Sequence, residues 1–284
     1  MRKYTKYILL LPCSLFLIIT LGFGIGNSLL QSLGFIPSIG LNNFTLDSYI
    51  KLFNDKSFIS SFVFTLKFSF ISSIISLIIG TVLAYLLHVK CADKKLSFLK
   101  FPIIIPHVIV VLIIITIFSK SGLISRILYN IGIINDLNDF PLLINDSFGI
   151  GIILTYIWKE TPFITLIIFG IISKIPKEIF YSAKNLGANS IYIFLHIVIP
   201  ICKKGILTSF LIIFSFSFSS FETPYLIGAT VPKSLAVKAY IEYSSADIFN
   251  RPYAMAINIF IIFISLILLL LYAPLYKNSL KEEI

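Results

Sequence analysis

Charge is scarce in this sequence. Charged residues make up 13% of the 284 and hydrophobic residues 57%, where a soluble domain carries roughly 25% charged and 45–50% apolar residues. That shortage excludes an ordinary soluble domain and points to a protein whose solvent is partly lipid. Cysteine is also scarce. Cys13, Cys91 and Cys202 have no paired spacing, so neither a disulfide framework nor a thiolate metal site is expected. No Gly-x4-Gly-Lys-Ser/Thr run exists to cradle nucleotide phosphates, and there is no His-Glu-x-x-His or Gly-x-Ser-x-Gly. The acidic residues are too scattered for a carboxylate cluster. An enzyme is therefore not expected, no catalytic residue is assigned, and any energy source has to reside on another chain. The apolar runs lack period-two alternation, which excludes a β-barrel. No internal duplication of the kind common in secondary carriers is visible.

What is present is six apolar runs of spanning length, near 7–27, 59–87, 101–118, 150–172, 206–226 and 253–272. An all-α fold of six transmembrane helices forming one domain over residues 1–284 is expected. Arg2, Lys3 and Lys6 precede the first run, but its length and the lack of a small-x-small site favour an uncleaved span. The second run exceeds bilayer thickness and should tilt or project, with Lys67 snorkelling near one end. The net charge of +10 tempts a nucleic-acid reading. Its distribution argues otherwise. With the N-terminus inside, fourteen Lys and Arg fall in cytoplasmic segments and seven in outer loops, as the positive-inside rule requires. Both termini are then cytoplasmic, as are loops 88–100 and 173–204. Cys91 and Cys202 fall on those loops, where thiols stay reduced, and Cys13 should be a small buried apolar residue. In the outer loop 28–56, Leu46, Tyr49, Ile50 and Phe53 recur at helical spacing, with Thr45 or Asp47 as cap.

Three polar stretches lie at membrane depth. Pro102 and Pro106-His107 open the third run and leave backbone groups that need partners from protein or water. His107 either contacts a solute or is a packing histidine. Trp158-Lys159-Glu160-Thr161-Pro162 lies mid-way along the fourth run; Lys159 and Glu160 line a pathway or form an ion pair with a neighbouring helix. The fifth run carries Ser209, Ser215, Ser217, Ser219 and Ser220, then Glu222 and Pro224, which mark a broken helix end.

The loop 173–204 is the most informative part of the chain. Pro176 suits a first helical position and Glu178 the positive helix start. Ile175, Ile179, Ala183, Leu186 and Gly187 form one side of a helix of about three turns, with Lys177, Lys184 and Asn185 opposite. Gly187 ends it in a left-handed conformation, and Ser190 caps a second short helix that Pro200 closes. Tyr181-Ser182-Ala183, Gly187 and Ile197-Val198-Ile199-Pro200 match, at the same spacing, the Glu-Ala-Ala…Gly…Ile-x-Leu-Pro loop of bacterial ABC importer permeases. Tyr181 stands where that family has Glu, Ser182 replaces the first Ala and Ile199 the Leu. Phe221-Glu222-Thr223-Pro224-Tyr225-Leu226-Ile227-Gly228 and Arg251-Pro252 resemble the spermidine/putrescine branch of the same family.

That resemblance implies the type I importer permease fold. It implies that Glu178, Tyr181, Ser182, Ala183, Gly187, Ile197 and Pro200 dock on an ATPase, and that His107, Lys159, Glu160 and Glu222 are candidates for the substrate pathway. It implies a second permease, two ATPase subunits that carry ATP and magnesium, an extracytoplasmic solute-binding protein, and a bacterial cell membrane. This chain itself would bind no cofactor, metal or nucleic acid. Glu160 and Glu222 would suit a polyamine; iron, thiamine and aminophosphonate branches share similar sequences. A secondary carrier is the other class to weigh, and co-purification of an ATPase separates the two.

Overall fold

A computed structural model describes residues 2–90 and 96–282, and apart from an isolated antiparallel bridge between Ile36 and Leu41 the regular elements among them are helices. In chain order they are α1 (Arg2–Ser32), α2 (Asp47–Asn54), α3 (Lys56–Val89), α4 (Leu96–Ile104), α5 (His107–Phe118), α6 (Leu123–Asn130), α7 (Ile150–Ile172), α8 (Lys177–Asn185), α9 (Ser190–Ile193), α10 (Ile199–Ser219), α11 (Glu222–Ile227), α12 (Leu235–Tyr243) and α13 (Arg251–Glu282). Among the described residues six stretches are long and apolar enough to cross a membrane: Leu9–Ser32, Lys56–Val89, His107–Asn130, Ile150–Ile172, Ser190–Ser219 and Ile248–Leu271. The all-α, six-span expectation stands. Two boundaries move, and both moves carry functional weight. The third run is two helices, and the fifth begins at Ser190.

The chain forms two compact units, Met1–Ser60 with Leu235–Ile264, and Ser61–Ser234 with Ser265–Ile284. In the first unit Leu52 is fully buried while Leu46, Ile50 and Phe53 are exposed. The helix of loop 28–56 thus exists, but it buries a different face from the one its spacing suggested. Neither Thr45 nor Asp47 caps it: the N-cap is Leu46, without a side-chain bond, and Asp47 lies in the first turn, where its charge suits the positive helix end. α1 buries none of its spanning window, so Cys13 is exposed where burial was expected. A helix whose neighbours in its unit touch only its end leaves its apolar sides turned outward.

A polar knot ties the end of α2 to α12 and α13 in this unit. Lys238 Nζ lies 3.1 Å from Asp55 Oδ2, donates to Ser57 Oγ at 2.7 Å, and sits 3.8 Å from Glu242 Oε1. The Tyr253 hydroxyl donates a short bond to Asp55. Burial works to raise the Asp55 pKa, but the Tyr253 and Lys238 bonds and the Ser57 amide together hold it below the ordinary value of 3.8. A carboxyl depressed in the folded state contributes stability above its unfolded pKa and loses it as pH falls through the folded one. Thermal stability in detergent should therefore drop as pH is lowered below 3.8, and Asp55→Asn should flatten that acid limb while lowering stability at neutral pH. An unchanged acid limb in the variant would remove this role from Asp55.

The second unit is built around α7. Gly149 enters it at φ +84°, and Asp146 accepts from the amides of Phe148 at 3.0 Å and Ile150 at 2.8 Å, which satisfies donors a helix start leaves unpaired. Phe68, Ile152 and Tyr156 lie in one core cluster and Ile164, Ile168 and Ile172 in a second, all fully buried, so the core runs along the length of α7. α3 packs by smallness: Ser61, Thr65, Ser69, Ser72 and Ser76 are buried at helical spacing and lead to Gly80. A Cβ at Gly80 would lie 2.9 Å from Ile164 Cβ, so only glycine permits this approach of α3 to α7. Lys67 is half-buried with Nζ 3.4 Å from the centre of the Phe148 ring, a cation–π contact beyond simple snorkelling.

Candidate functional site

The third span is broken where its prolines sit. α4 ends at Ile104, and Pro106, with ψ 146°, is the N-cap of α5. Pro106 has no N–H, so the carbonyl of Pro102, one turn earlier, loses its helical partner. Lys159 supplies one from α7. Its Nζ donates to the carbonyl oxygens of Pro102 at 2.8 Å and Ile103 at 2.9 Å, and to that of Ile105. An ammonium has three donors, and all three are used. The two sequence anomalies, orphaned carbonyls and a lysine at membrane depth, are partners of each other.

Glu160 turns elsewhere. It is 9% exposed, and its Oε1 lies 3.6 Å from His107 Nε2, too long for a hydrogen bond but within ion-pair reach. The His107 ring stands 5.1 Å from that of Phe216 and 6.4 Å from that of Tyr156. His107, Lys159 and Glu160 border a cavity of about 410 Å³ walled otherwise by Ile103, Ile104, Ile105, Pro106, Phe163, Ile212, Ile213 and Phe216. His107, Lys159 and Glu160, expected as a group, do come together. Glu222 does not join them: it begins α11, is exposed, and stands outside the cavity wall. Phe163 and Phe216 gave no sequence signal, because a phenylalanine among 27 is indistinguishable from core filling.

In the loop 173–204, α8 begins after Pro176, one residue later than expected. It ends as a Schellman motif. Gly187 has φ +85°, its amide donates to Lys184 O at 2.9 Å, and the Ala188 amide donates to Ala183 O at 3.0 Å. Phe180, Ala183 and Ala188 pack on the core, and the His88 ring lies 5.1 Å from that of Phe180. Glu178, Tyr181, Ser182, Leu186 and Gly187 are exposed. Tyr85 on α3 donates to Ser190 O at 2.9 Å and ties the next turn down. A recess of about 500 Å³ is bordered by Ala183, Leu186, Gly187, Ala188, Asn189, Tyr192 and Ile197.

Two expectations for this loop are corrected. Asn189, not Ser190, caps the following helix, accepting from the Tyr192 amide at 2.8 Å. Pro200 closes nothing. A π turn over Phe194–Val198 widens the hydrogen-bond ladder, with the Ile199 amide reaching Phe194 O, so Pro200 enters α10 where no amide is needed and the helix continues to Ser219. Cys202 is consequently a fully buried residue of a span, not a loop thiol. Cys91 lies outside the described residues.

Residues 76–278 match the family model described as the binding-protein-dependent transport system inner membrane component. The chain belongs to this family. It is 27% identical over 297 residues to the probable ABC transporter permease protein YurN of Bacillus subtilis (strain 168), with 99% of each chain covered. It is 25% identical over 233 residues to the spermidine/putrescine transport system permease protein PotB of Escherichia coli (strain K12), covering 81% of this chain and 82% of that one. Among solved structures, a bacterial ABC transporter involved in the import of the acidic polysaccharide alginate matches with a TM-score of 0.78 at 20% identity, covering 99% of this chain and 96% of that one. The matched segment contains both the cavity and the loop of this permease. As an ABC importer permease it is a multi-pass membrane protein and a transport subunit.

Proposed function

We propose that this permease carries a polyamine through the cavity beside Glu160 and couples to an ATPase through the loop 173–204. The observation that carries the reading is the construction of that loop. A short helix is anchored on one side by Phe180 and Ala183, ended by Gly187 at positive φ, and left with Tyr181, Leu186, Ile191 and Tyr192 60%, 88%, 70% and 53% exposed beside an open recess. Apolar side chains held out at the end of a rigid turn suit a protein partner. In this reading Glu178, Tyr181, Ser182 and Gly187 meet the ATPase, Ala183 holds the helix to the core beneath them, and Ile197 and Pro200 set the helix behind it. ATP and magnesium are held by two ATPase subunits, a second permease completes the pathway, and an extracytoplasmic protein delivers the solute. Both termini are cytoplasmic. The polyamine reading draws on the buried carboxylate of Glu160, which accepts no hydrogen bond among the described residues, and on the likeness to PotB.

Cys202 cannot report orientation, being buried. Leu186→Cys, in a chain with Cys13, Cys91 and Cys202 replaced by alanine, is the better probe because Leu186 is 88% exposed. An impermeant thiol reagent should miss it in intact cells and label it in inside-out vesicles, more slowly when the ATPase is bound. Labelling in intact cells would put the loop on the wrong side for any ATPase and end the coupling assignment.

A further inference from the structure

Lys159 and Glu160 are adjacent in sequence, and by formal charge the cavity they border is neutral. Hydrogen-bonding capacity separates them. The three donors of Lys159 are consumed by the Pro102, Ile103 and Ile105 carbonyls, so its ammonium has nothing left to offer a solute. The Glu160 carboxylate has two oxygens and about four acceptor directions. Among the described residues the His107 ring stands beside it, with Nε2 3.6 Å from Oε1, an ion pair only when the imidazole carries a second proton, and no hydrogen-bond donor of the chain reaches it. The unused capacity of the cavity is therefore that of an acceptor with negative charge. Its remaining wall is apolar and includes Phe163 and Phe216.

We propose that this cavity is a subsite for the ammonium group of a passing solute, with Glu160 as counter-ion and Phe163 and Phe216 flanking the solute's hydrocarbon part. The proposal rests on the reading of the chain as a permeation subunit. A cation in an apolar enclosure requires a counter-charge, which Glu160 supplies, and an aromatic face adds cation–π attraction. A carboxylate or sulfate would find no free donor from Lys159 and would face Glu160 at close range. The preference is thus opposite to what an acidic polysaccharide requires, although the fold is shared with an importer of one.

The experiment measures the electrostatics of the cavity directly. Phe163→Cys is made in the full-length permease with Cys13, Cys91 and Cys202 replaced by alanine, and Phe216→Cys is made in parallel in case the first variant folds poorly. Each is treated with an ammonium-bearing and a sulfonate-bearing methanethiosulfonate, and the rate ratio is divided by that for a free thiol in solution. The corrected ratio should exceed unity by at least about tenfold, and Glu160→Gln in the same background should bring it close to one. A corrected ratio at or below one overturns the subsite. A high ratio that survives Glu160→Gln overturns the role of Glu160. Labelling needs no ATPase, so it can fail while ATP-driven uptake stands. Conversely, uptake by the assembled complex can prove independent of ATP, ending the importer reading, while the ratio holds.

Discussion

Gly187→Leu is expected to bring ATP-driven uptake to background while the permease still reaches the membrane at near-normal level. Gly187 sits at φ +85°, and nothing lies within 4 Å of a Cβ built there, so the substitution meets no clash inside the chain. The cost is conformational. A leucine in the left-handed region is disfavoured by ~1–2 kcal/mol, enough to unwind a local turn but small against the stability of a whole domain. Relaxation of that turn would break the amide bonds from Gly187 to Lys184 O and from Ala188 to Ala183 O, and with them the position of Leu186 and Tyr181. Gly187→Asn should keep more activity, because asparagine tolerates positive φ. Measured uptake and surface level decide the matter. Wild-type uptake in Gly187→Leu would sink the docking assignment; loss of both uptake and folded protein would show that the turn supports the fold instead.

The second large effect separates two neighbours. Lys159→Met leaves the Pro102, Ile103 and Ile105 carbonyls without the ammonium that satisfies them, in a span where water is scarce. Each orphaned group costs ~1–3 kcal/mol, so a drop on the order of 10 °C in detergent melting temperature and a fall in folded yield are expected. Lys159→Arg should be intermediate, since a guanidinium keeps the charge but presents its donors in a rigid fork rather than a compact point. Glu160→Gln should do the reverse: melting stays close to wild type while uptake falls, because the carboxylate holds up no backbone. If Lys159→Met melts like wild type, the carbonyl contacts are not structural. If Glu160→Gln loses fold and uptake in step, Glu160 belongs to the scaffold and not to the pathway.

The six spans, their all-helical character and the loop at 173–204 were legible in the sequence because each depends on local properties summed over a window. Apolar content sets a span, a left-handed glycine ends a helix, and the spacing of Ala183, Gly187 and Pro200 survives whatever surrounds it. The family resemblance rested on that spacing, and the match over residues 76–278 agrees with it.

Where two signals competed, the chain packing chose. Pro200 reads as a helix stop, yet the π turn before it shifts the ladder and lets the span begin at Ser190, which draws Cys202 into the core. The spacing in α2 marked a helix but not its buried side, because Leu52 is selected by what lies opposite it. Above all, composition cannot pair an ammonium with three carbonyls more than fifty residues away. The sequence by itself determined that Pro102 and Pro106 would leave backbone groups unsatisfied and that Lys159, at membrane depth, would need partners. Only the tertiary structure could bring α4 and α7 close enough to make these one fact, with Lys159 spent on the carbonyls and Glu160 beside His107 instead. The reason is physical: local propensity decides which groups are left unsatisfied, and proximity across the fold decides what satisfies them.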